Sequence, residues 1–467
     1  MFSLKHTLSL ACMICIASCS ANSNPTQDSP HKDELAPPIQ VEQLIRQKAQ
    51  DAKVPGVAVA YIHNNKLQWI ATYGKANEQN PVTNDSLFNV ASLTKPVFGM
   101  MTLKLIQDEK LSLNESLSNY WIDPDVKDDP RHHQLTARLA LSHQIGFTNW
   151  RGDKPLSFMF DPGSRHEYSG EGFEYLLKAI ENKTDTTMPQ LMQSYITEPL
   201  RMADTYFGWQ ADKDTEIAAR YDELAEEIEH KGFYKEGYSA ACCTLTSIKD
   251  YASFIEWVAS GAGLSQSLID ELQSPQAQHE NPMEHFGLGW RLILLPESTY
   301  LMHDGREPGV RTFATVSPDT GEGVIIFTNS SNGELLYRAV VKATLVNEKE
   351  YLAQTDRDTW LYLTSVPKEV QPRMLQFIAQ SPSFTSKALY AANQMVFESN
   401  NEQKNIEAFR ERSEKYIEQY VLSMQQGKAD GQAFIEIMGK LLNSDNSTDS
   451  SIKLNEWVNL LKSTGQQ

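Results

Sequence analysis

The sequence predicts a mixed α/β chain of the α+β kind: one sheet assembled from strands at the two ends of a domain, a helical middle between them, and an all-helical extension behind. Three observations carry this. Strand-like runs occur early, at Val57-Ala58-Val59-Ala60-Tyr61-Ile62 and Leu67-Gln68-Trp69-Ile70-Ala71-Thr72-Tyr73, and return late, at Trp290 to Leu295, Arg311 to Val316 and Gly323 to Asn329. From Pro96 to about Phe286 the apolar spacing is mostly helical, broken by Pro and Gly in long loops. Beyond about Glu350 the composition turns to helix formers with no convincing strand.

In chain order, residues 1–18 carry Lys5 and His6, then Leu8-Ser9-Leu10-Ala11-Cys12-Met13-Ile14-Cys15-Ile16, then small residues, the layout of a secretory leader. The apolar run is too short to cross a bilayer as a permanent helix. Its end, Ile16-Ala17-Ser18-Cys19, resembles a bacterial lipobox, which implies cleavage before Cys19 and lipidation of that residue, with ordinary cleavage near Ser18 as the alternative. Ser20 after the cysteine implies transport to the outer membrane of a Gram-negative cell, so the expected location is periplasmic and lipid-anchored. Residues 19–40 read as a flexible tether of Ser, Asn, Pro and charge.

A domain is then expected over residues 41–350. Val41, Leu44, Ile45 and Ala49 have helical spacing, Pro55-Gly56 stops that helix, and Asn64-Asn65 turns the first strand back into the second. Pro318-Asp319-Thr320-Gly321 joins the last two strands, and Met302-His303-Asp304-Gly305 is placed just ahead of a strand. Residues 351–467 form the helical extension, with amphipathic runs around Ile406 to Met424 and Phe434 to Leu442 and a polar linker, Asn443 to Ser451. Its expected role is packing on the preceding domain, with a partner-docking surface as the alternative; a protein partner is unknown.

The formal net charge of −18 argues against nucleic acid, anionic headgroups or polyphosphate as partners, and favours small neutral or cationic substrates. His132-His133 and the acidic stretch Asp123 to Asp129 read as solvated surface. Removal of the leader leaves Cys19, Cys242 and Cys243, which is no disulfide framework. The adjacent Cys242 and Cys243 are read as two small buried apolar residues, with a vicinal disulfide the alternative in an oxidising compartment.

The chemistry centres on Ser92-Leu93-Thr94-Lys95, where a polar loop gives way to a long apolar-periodic run. Residues three apart on a helix share a face, so Lys95 can touch Ser92, and a buried lysine loses pKa and can take the serine proton. At a helix start, unpaired N–H groups also favour negative charge developing on a substrate carbonyl. The same spacing recurs at Ser29 with Lys32, Ser365 with Lys368 and Ser450 with Lys453, but only Ser92 opens a helical run (Phe98, Met101, Leu103, Leu105, Ile106).

Further along lie Leu135-Thr136-Ala137-Arg138-Leu139-Ala140-Leu141-Ser142-His143-Gln144-Ile145-Gly146, the loop Pro162 to Phe173 that holds Tyr168, the stretch Ala240 to Ser247, and His303-Asp304-Gly305 running to Gly309. In this order, together with the Ser92 tetrad, the chain from roughly Val41 to Asn329 resembles the serine β-lactamase and penicillin-binding-protein superfamily. The nearest branch holds class C β-lactamases, D-Ala-D-Ala carboxypeptidases, D-aminopeptidases and esterases. The resemblance implies an antiparallel sheet flanked by helices, a helical subdomain, an active site between them, and neither metal nor cofactor. It implies Ser92 as the acylated nucleophile, with Lys95 and a Tyr168 of lowered pKa as the proton-transfer pair. His303, Gly305 and Arg306 are then substrate-binding, Gly305 through close approach of an edge strand and Arg306 through its backbone N–H. His143 is read as structural, and Tyr238 as a rival tyrosine that falls too late in the order.

One departure stands out. Gly170 occupies the place of the asparagine that in the family binds the acyl amide of β-lactams and peptides, so esters or unusual amides gain weight over both; within the class an esterase, or a peptidase acting on peptidoglycan-derived D-amino-acid peptides, is expected ahead of a β-lactamase. The alternatives are a catalytically silent penicillin-binding-like protein that holds a ligand, and an envelope scaffold working through residues 351–467.

Overall fold

The computed structural model describes residues 36–365, apart from 209, 211, 212, 214, 223, 230–236 and 277–284, together with Lys387. The leader, Cys19, the tether up to residue 35 and nearly all of the extension beyond residue 365 lie outside the described residues. Among the described residues no helix is long and apolar enough to cross a membrane.

The chain opens with α1 (Ile39–Asp51) and the hairpin β1 (Gly56–His63) and β2 (Lys66–Gly74). Asn64 and Asn65 turn the hairpin at φ 52° and 61°, the left-handed pair that a two-residue turn of right-handed twist requires. Next come the short β3 (Phe88–Asn89) and α2 (Thr94–Gln107), α3 (Ala137–Leu141), α4 (Gly170–Thr184) and α5 (Met188–Met192). Short strands β4 (Thr205–Phe207), β5 (Arg220–Tyr221), β6 (Glu227–Ile228) and β7 (Thr244–Thr246) precede α6 (Ile248–Ala259) and α7 (Gln266–Leu272). The chain then returns to the sheet as β8 (Arg291–Leu294), β9 (Thr299–Glu307), β10 (Val310–Ser317) and β11 (Glu322–Thr328), followed by α8 (Tyr337–Thr344) and α9 (Glu348–Ser365).

The main sheet runs β2-β1-β11-β10-β9-β8, antiparallel throughout. The strand that closes it is the last one: β11 pairs with β1 in the register Val57 with Thr328 and Ile62 with Gly323. Successive residues of a strand face opposite sides, and here both sides are covered. Ile325 and Phe327 face a core shared with Val97 and Phe98 of α2, Phe173 of α4 and Phe254 of α6. Val324 and Ile326 face a second core with Ile45 of α1, Val340 of α8, and Tyr351 and Leu352 of α9. The first turns of α9 are thus part of the domain's packing, and the Tyr351 hydroxyl lies 3.1 Å from Thr315 Oγ1 on β10.

The middle differs from the helical pattern expected. It contains a small sheet, β3-β7-β4, and a two-stranded ribbon, β5-β6. Runs of two or three residues such as Thr244-Leu245-Thr246 are too short to show any period, so sequence pattern misses them. The other difference is β9: His303-Asp304-Gly305 lies inside this strand rather than ahead of it. Asp and Gly are poor strand formers, and the sheet overrides that preference through pairing with β10, Gly305 opposite Thr312.

Helix α2 is buried from Thr94 to Leu103, which makes it the central element of the first core. Phe327 ties the sheet to that core, its ring 5.7 Å from Phe88 and 5.5 Å from Tyr251. Phe327→Ala should therefore cost about 3–5 kcal/mol, the range for a buried aromatic cut to a methyl group. A urea melt that shows a lowered midpoint with unchanged slope checks this.

Candidate active site

Ser92 sits in the tight turn Ala91–Leu93 that joins β3 to α2. Ala91 is held at φ 47°, a left-handed conformation that costs an L-residue roughly 1–2 kcal/mol. Four hydrogen bonds impose it. The Ala91 N–H donates to Asn89 Oδ1 at 2.8 Å, and Thr94 Oγ1 donates to the Ala91 carbonyl at 2.8 Å. Thr312 Oγ1 on β10 donates to the Val90 carbonyl at 2.9 Å, and the Tyr251 hydroxyl on α6 donates to that of Leu93 at 3.1 Å. The serine is part-buried, on a turn fixed to the sheet on one side and to α6 on the other.

Lys95 follows in the first turn of α2 and is 1% exposed. Its Nζ lies 3.3 Å from Ser92 Oγ and donates to the Ala241 carbonyl at 2.7 Å. Burial strips water from the ammonium and brings its pKa down to about 7, against the opposing pull of Glu174, Glu307 and Asp304. A neutral Nζ keeps its donation to Ala241 and still has a lone pair for the Ser92 hydroxyl.

Tyr168 reaches the same oxygen from the loop before α4, its hydroxyl hydrogen-bonded to Ser92. Here the expectation of a tyrosine with lowered pKa is reversed. Burial of the hydroxyl, with Asp304 nearby, raises it, and the Ser92 hydrogen bond only partly offsets this. Lys95 Nζ stands over the ring, 4.8 Å from its centre, and does not join Ser92 in drawing the hydroxyl's pKa down. Part of the tyrosine residue reaches the surface, but the hydroxyl points inward at Ser92.

The β9 residues line the other side. Because β8 pairs only with Thr299–Met302, the His303–Glu307 half of β9 has no strand beyond it among the described residues. The expected edge is thus half of a penultimate strand. His303 is 4% exposed, shares 2.7 Å with the Asp304 carbonyl through Nδ1, and has its ring centre 6.1 Å from that of Tyr168. Desolvation lowers its pKa, so the ring is neutral at pH 7. Gly305 packs against the turn that carries Ser92: a Cβ there would collide with Thr312 Oγ1 and the Val90 carbonyl and come within 3.3 Å of Ala91 Cβ. The close approach that glycine permits is to Ala91, in front of the nucleophile. Arg306 turns its guanidinium to Glu334 at 2.7 Å, away from Ser92, which leaves its backbone as its possible contribution.

Several residues at the site were not singled out from sequence. Glu174 accepts from Ser239 Oγ, and its burial beside Lys95 raises its pKa. Glu307 accepts from Asn89 Nδ2 at 2.7 Å, which links the end of β9 to the residue that holds Ala91. Sequence offers no clue to either Glu174, which shares its helix face with Glu171, Lys178 and Glu181 and reads as part of a charged surface, or Ala241, which acts through its carbonyl. His143 is fully buried beneath Tyr168, ring centres 4.3 Å apart, and accepts from the Ser169 N–H at 3.1 Å. Tyr238 donates to Glu181 at 2.6 Å and takes no part at Ser92.

Two surface readings are corrected. Asp123 is buried and binds Arg151 at 2.8 Å, because the loop after Trp150 folds onto this acidic stretch, and His132 is buried with Nδ1 2.7 Å from the Asp129 carbonyl of its own turn. Cys242 and Cys243 are joined as a vicinal disulfide and are only part-buried, which replaces the reading of two buried apolar residues. The backbone bend that brings neighbouring sulfurs together shows at Cys243, φ 74°. With Glu307 the two sulfurs form a group of donor atoms within 4.8 Å of one another, but sulfurs bonded to each other offer no thiolate, so this group does not suit a metal in that state.

Gly305→Ala should lower the melting temperature and slow any covalent labelling of Ser92, because the new methyl group displaces the Ala91 turn. Thermal melts and intact-protein mass spectrometry on the same samples check both; unchanged labelling would contradict the placement of Gly305.

Comparisons with known proteins place the chain by family and fold. The family described as Beta-lactamase matches residues 41–345. Protein flp of Staphylococcus aureus (strain MW2) is 22% identical over 351 residues, 67% of each chain. Penicillin-binding protein 4* of Bacillus subtilis (strain 168) is 23% identical over 309 residues, 58% of this chain and 67% of that one. In fold, the octameric penicillin-binding protein homologue from Pyrococcus abyssi aligns with TM-score 0.57 and 19% identity, over 69% of this chain and 80% of that chain. The D-amino acid amidase from Ochrobactrum anthropi SV3 aligns with TM-score 0.52 and 22% identity, over 62% and 90%. With a family match over well more than half its length, and the α+β architecture that goes with it, this chain belongs to the Beta-lactamase family of serine hydrolases.

Proposed function

We propose that the protein is a periplasmic, lipid-anchored serine hydrolase that cleaves an ester or amide through an acyl-enzyme on Ser92. The observation that carries the reading is the convergence of a buried Lys95 Nζ of pKa about 7 and the Tyr168 hydroxyl on the Ser92 oxygen. Neutral Lys95 takes the proton as Ser92 Oγ bonds to the carbonyl carbon. Tyr168, a neutral phenol, donates to the oxygen and relays a proton to the leaving group, which departs as alcohol or amine. Water then attacks the acyl carbon, gives a proton back through the same pair, and releases the acid. The backbone N–H groups of Ser92 and Arg306 receive the oxyanion, with β9 held beside the Ser92 turn by Gly305.

Gly170 removes a side-chain amide that would bind an acyl amide, which favours esters or unusual amides over β-lactams and ordinary peptides. The lipobox at Cys19 supports the anchored location. A catalytically silent role is the weaker reading, since a silent site has no need to keep a buried lysine short of protons.

The test is intact-protein mass spectrometry after exposure to a fluorophosphonate and, separately, to a penicillin. A fluorophosphonate adduct is expected on the wild type, none on Ser92→Ala, and a rate about 10²–10⁴-fold lower on Lys95→Ala, the usual worth of a general base. A penicillin adduct would favour a peptidase over an esterase. Failure of folded wild type to react with either reagent would turn the reading to ligand binding.

A further inference from the structure

Gly170 opens α4, and the space beside it is taken by Trp150. A Cβ built at Gly170 would fall 2.7 Å from both Cη2 and Cζ2 of the indole, so the ring lies against the glycine backbone where any side chain would otherwise project. The indole also looks onto the reacting atoms: Lys95 Nζ is 6.0 Å from its centre. Trp150 is also 48% exposed, so about half of this residue remains open for a bound group to cover.

The backbone under this exposed ring is fixed. Asn149 Oδ1 accepts from the Gly170 N–H at 2.9 Å, and the Asn149 carbonyl accepts from that of Glu171 at 3.0 Å. On the other side the Arg151 guanidinium binds Glu171 at 2.8 Å and Asp123 at 2.8 Å. The residues before and after Trp150 are therefore tied to the start of α4, two residues from Tyr168. An exposed aromatic face on a rigid support, next to a nucleophile, is preorganised to stack on a flat partner.

We propose that Trp150, seated on Gly170, is a specificity-determining wall of the substrate pocket that selects a planar aromatic group next to the scissile carbonyl. This rests on the acyl-transfer reading of Ser92 and goes beyond it in naming the substrate class. Replacement of a side-chain amide by an indole face converts this side of the pocket from a hydrogen-bonding surface to a stacking one. Arg151, through Asp123 and Glu171, is a positioning residue for the indole.

The test uses matched ester pairs that differ only in flatness: ethyl phenylacetate against ethyl cyclohexylacetate for the acyl side, and benzyl acetate against cyclohexylmethyl acetate for the alcohol side. Hydrolysis is followed by proton release in the wild type, Trp150→Ala and Trp150→Phe, each checked for folding by thermal melt and for an active serine by fluorophosphonate labelling. The expected result is a kcat/KM for the aromatic member higher by roughly five- to ten-fold in one of the pairs, the scale of an aromatic stack. That preference should vanish in Trp150→Ala and partly return in Trp150→Phe while fluorophosphonate labelling persists. A wild type without preference, or a preference that survives in Trp150→Ala, overturns the inference. Normal fluorophosphonate labelling with none of the four esters cleaved overturns it too and leaves the acyl-transfer reading standing, whereas loss of labelling in the wild type overturns both.

Discussion

A primary amine removed from water sets the terms for this site. An isolated ammonium is among the most expensive groups to bury, and a lysine in that position escapes the cost by giving up its proton. Lys95 sits in the first turn of a helix buried for most of its length, with one hydrogen bond to the Ala241 carbonyl and aromatic faces from Tyr168 and Phe173 around it. The carboxylates that pull the other way, Glu174, Glu307 and Asp304, are near enough to be felt but do not make an ion pair with it. The result is a base at neutral pH and not a fixed cation. The strained Ala91 turn follows from the same need, because Ser92 must be presented to an amine that cannot move.

The sheet supplies the rigidity. Its first and last strands pair directly, so a turn between β3 and α2 can be held at once by β10, through Thr312, and by α6, through Tyr251. Glycines appear where backbones have to meet. Gly305 lets β9 lie against Ala91, and Gly99 of α2 faces Gly289, where a Cβ would come within 3.3 Å of the opposing Cα. Packing on both faces of the sheet, with Tyr351 and Leu352 in the second core, ties the start of α9 to the same framework.

What could be read from sequence was what depends on local spacing. Ser92 and Lys95 meet because residues three apart on a helical turn share a face, and the two hairpin strands show their apolar runs and their Asn64-Asn65 turn. Residues brought in from a distance left weaker traces. Ala241 contributes a carbonyl, which no side chain announces, and Trp150 reads as an ordinary loop aromatic until Gly170 is seen beneath it. The acidic stretch around Asp123 looked solvated because its partner, Arg151, lies 28 residues away. The protonation of Tyr168 was misjudged for a related reason: proximity to a lysine could be inferred, but its position over the ring face and the burial of the hydroxyl could not.

The most direct measurement of the account is the pH dependence of the rate at which a fluorophosphonate modifies Ser92, followed by intact mass from pH 5.5 to 9. A base is competent only when deprotonated, so the rate should rise through a midpoint near 7 and level off above it, as the lowered pKa of Lys95 requires. A rate that does not change across this range, or that is still climbing towards the ordinary lysine value of 10.5, would contradict the claim that burial makes Lys95 the base.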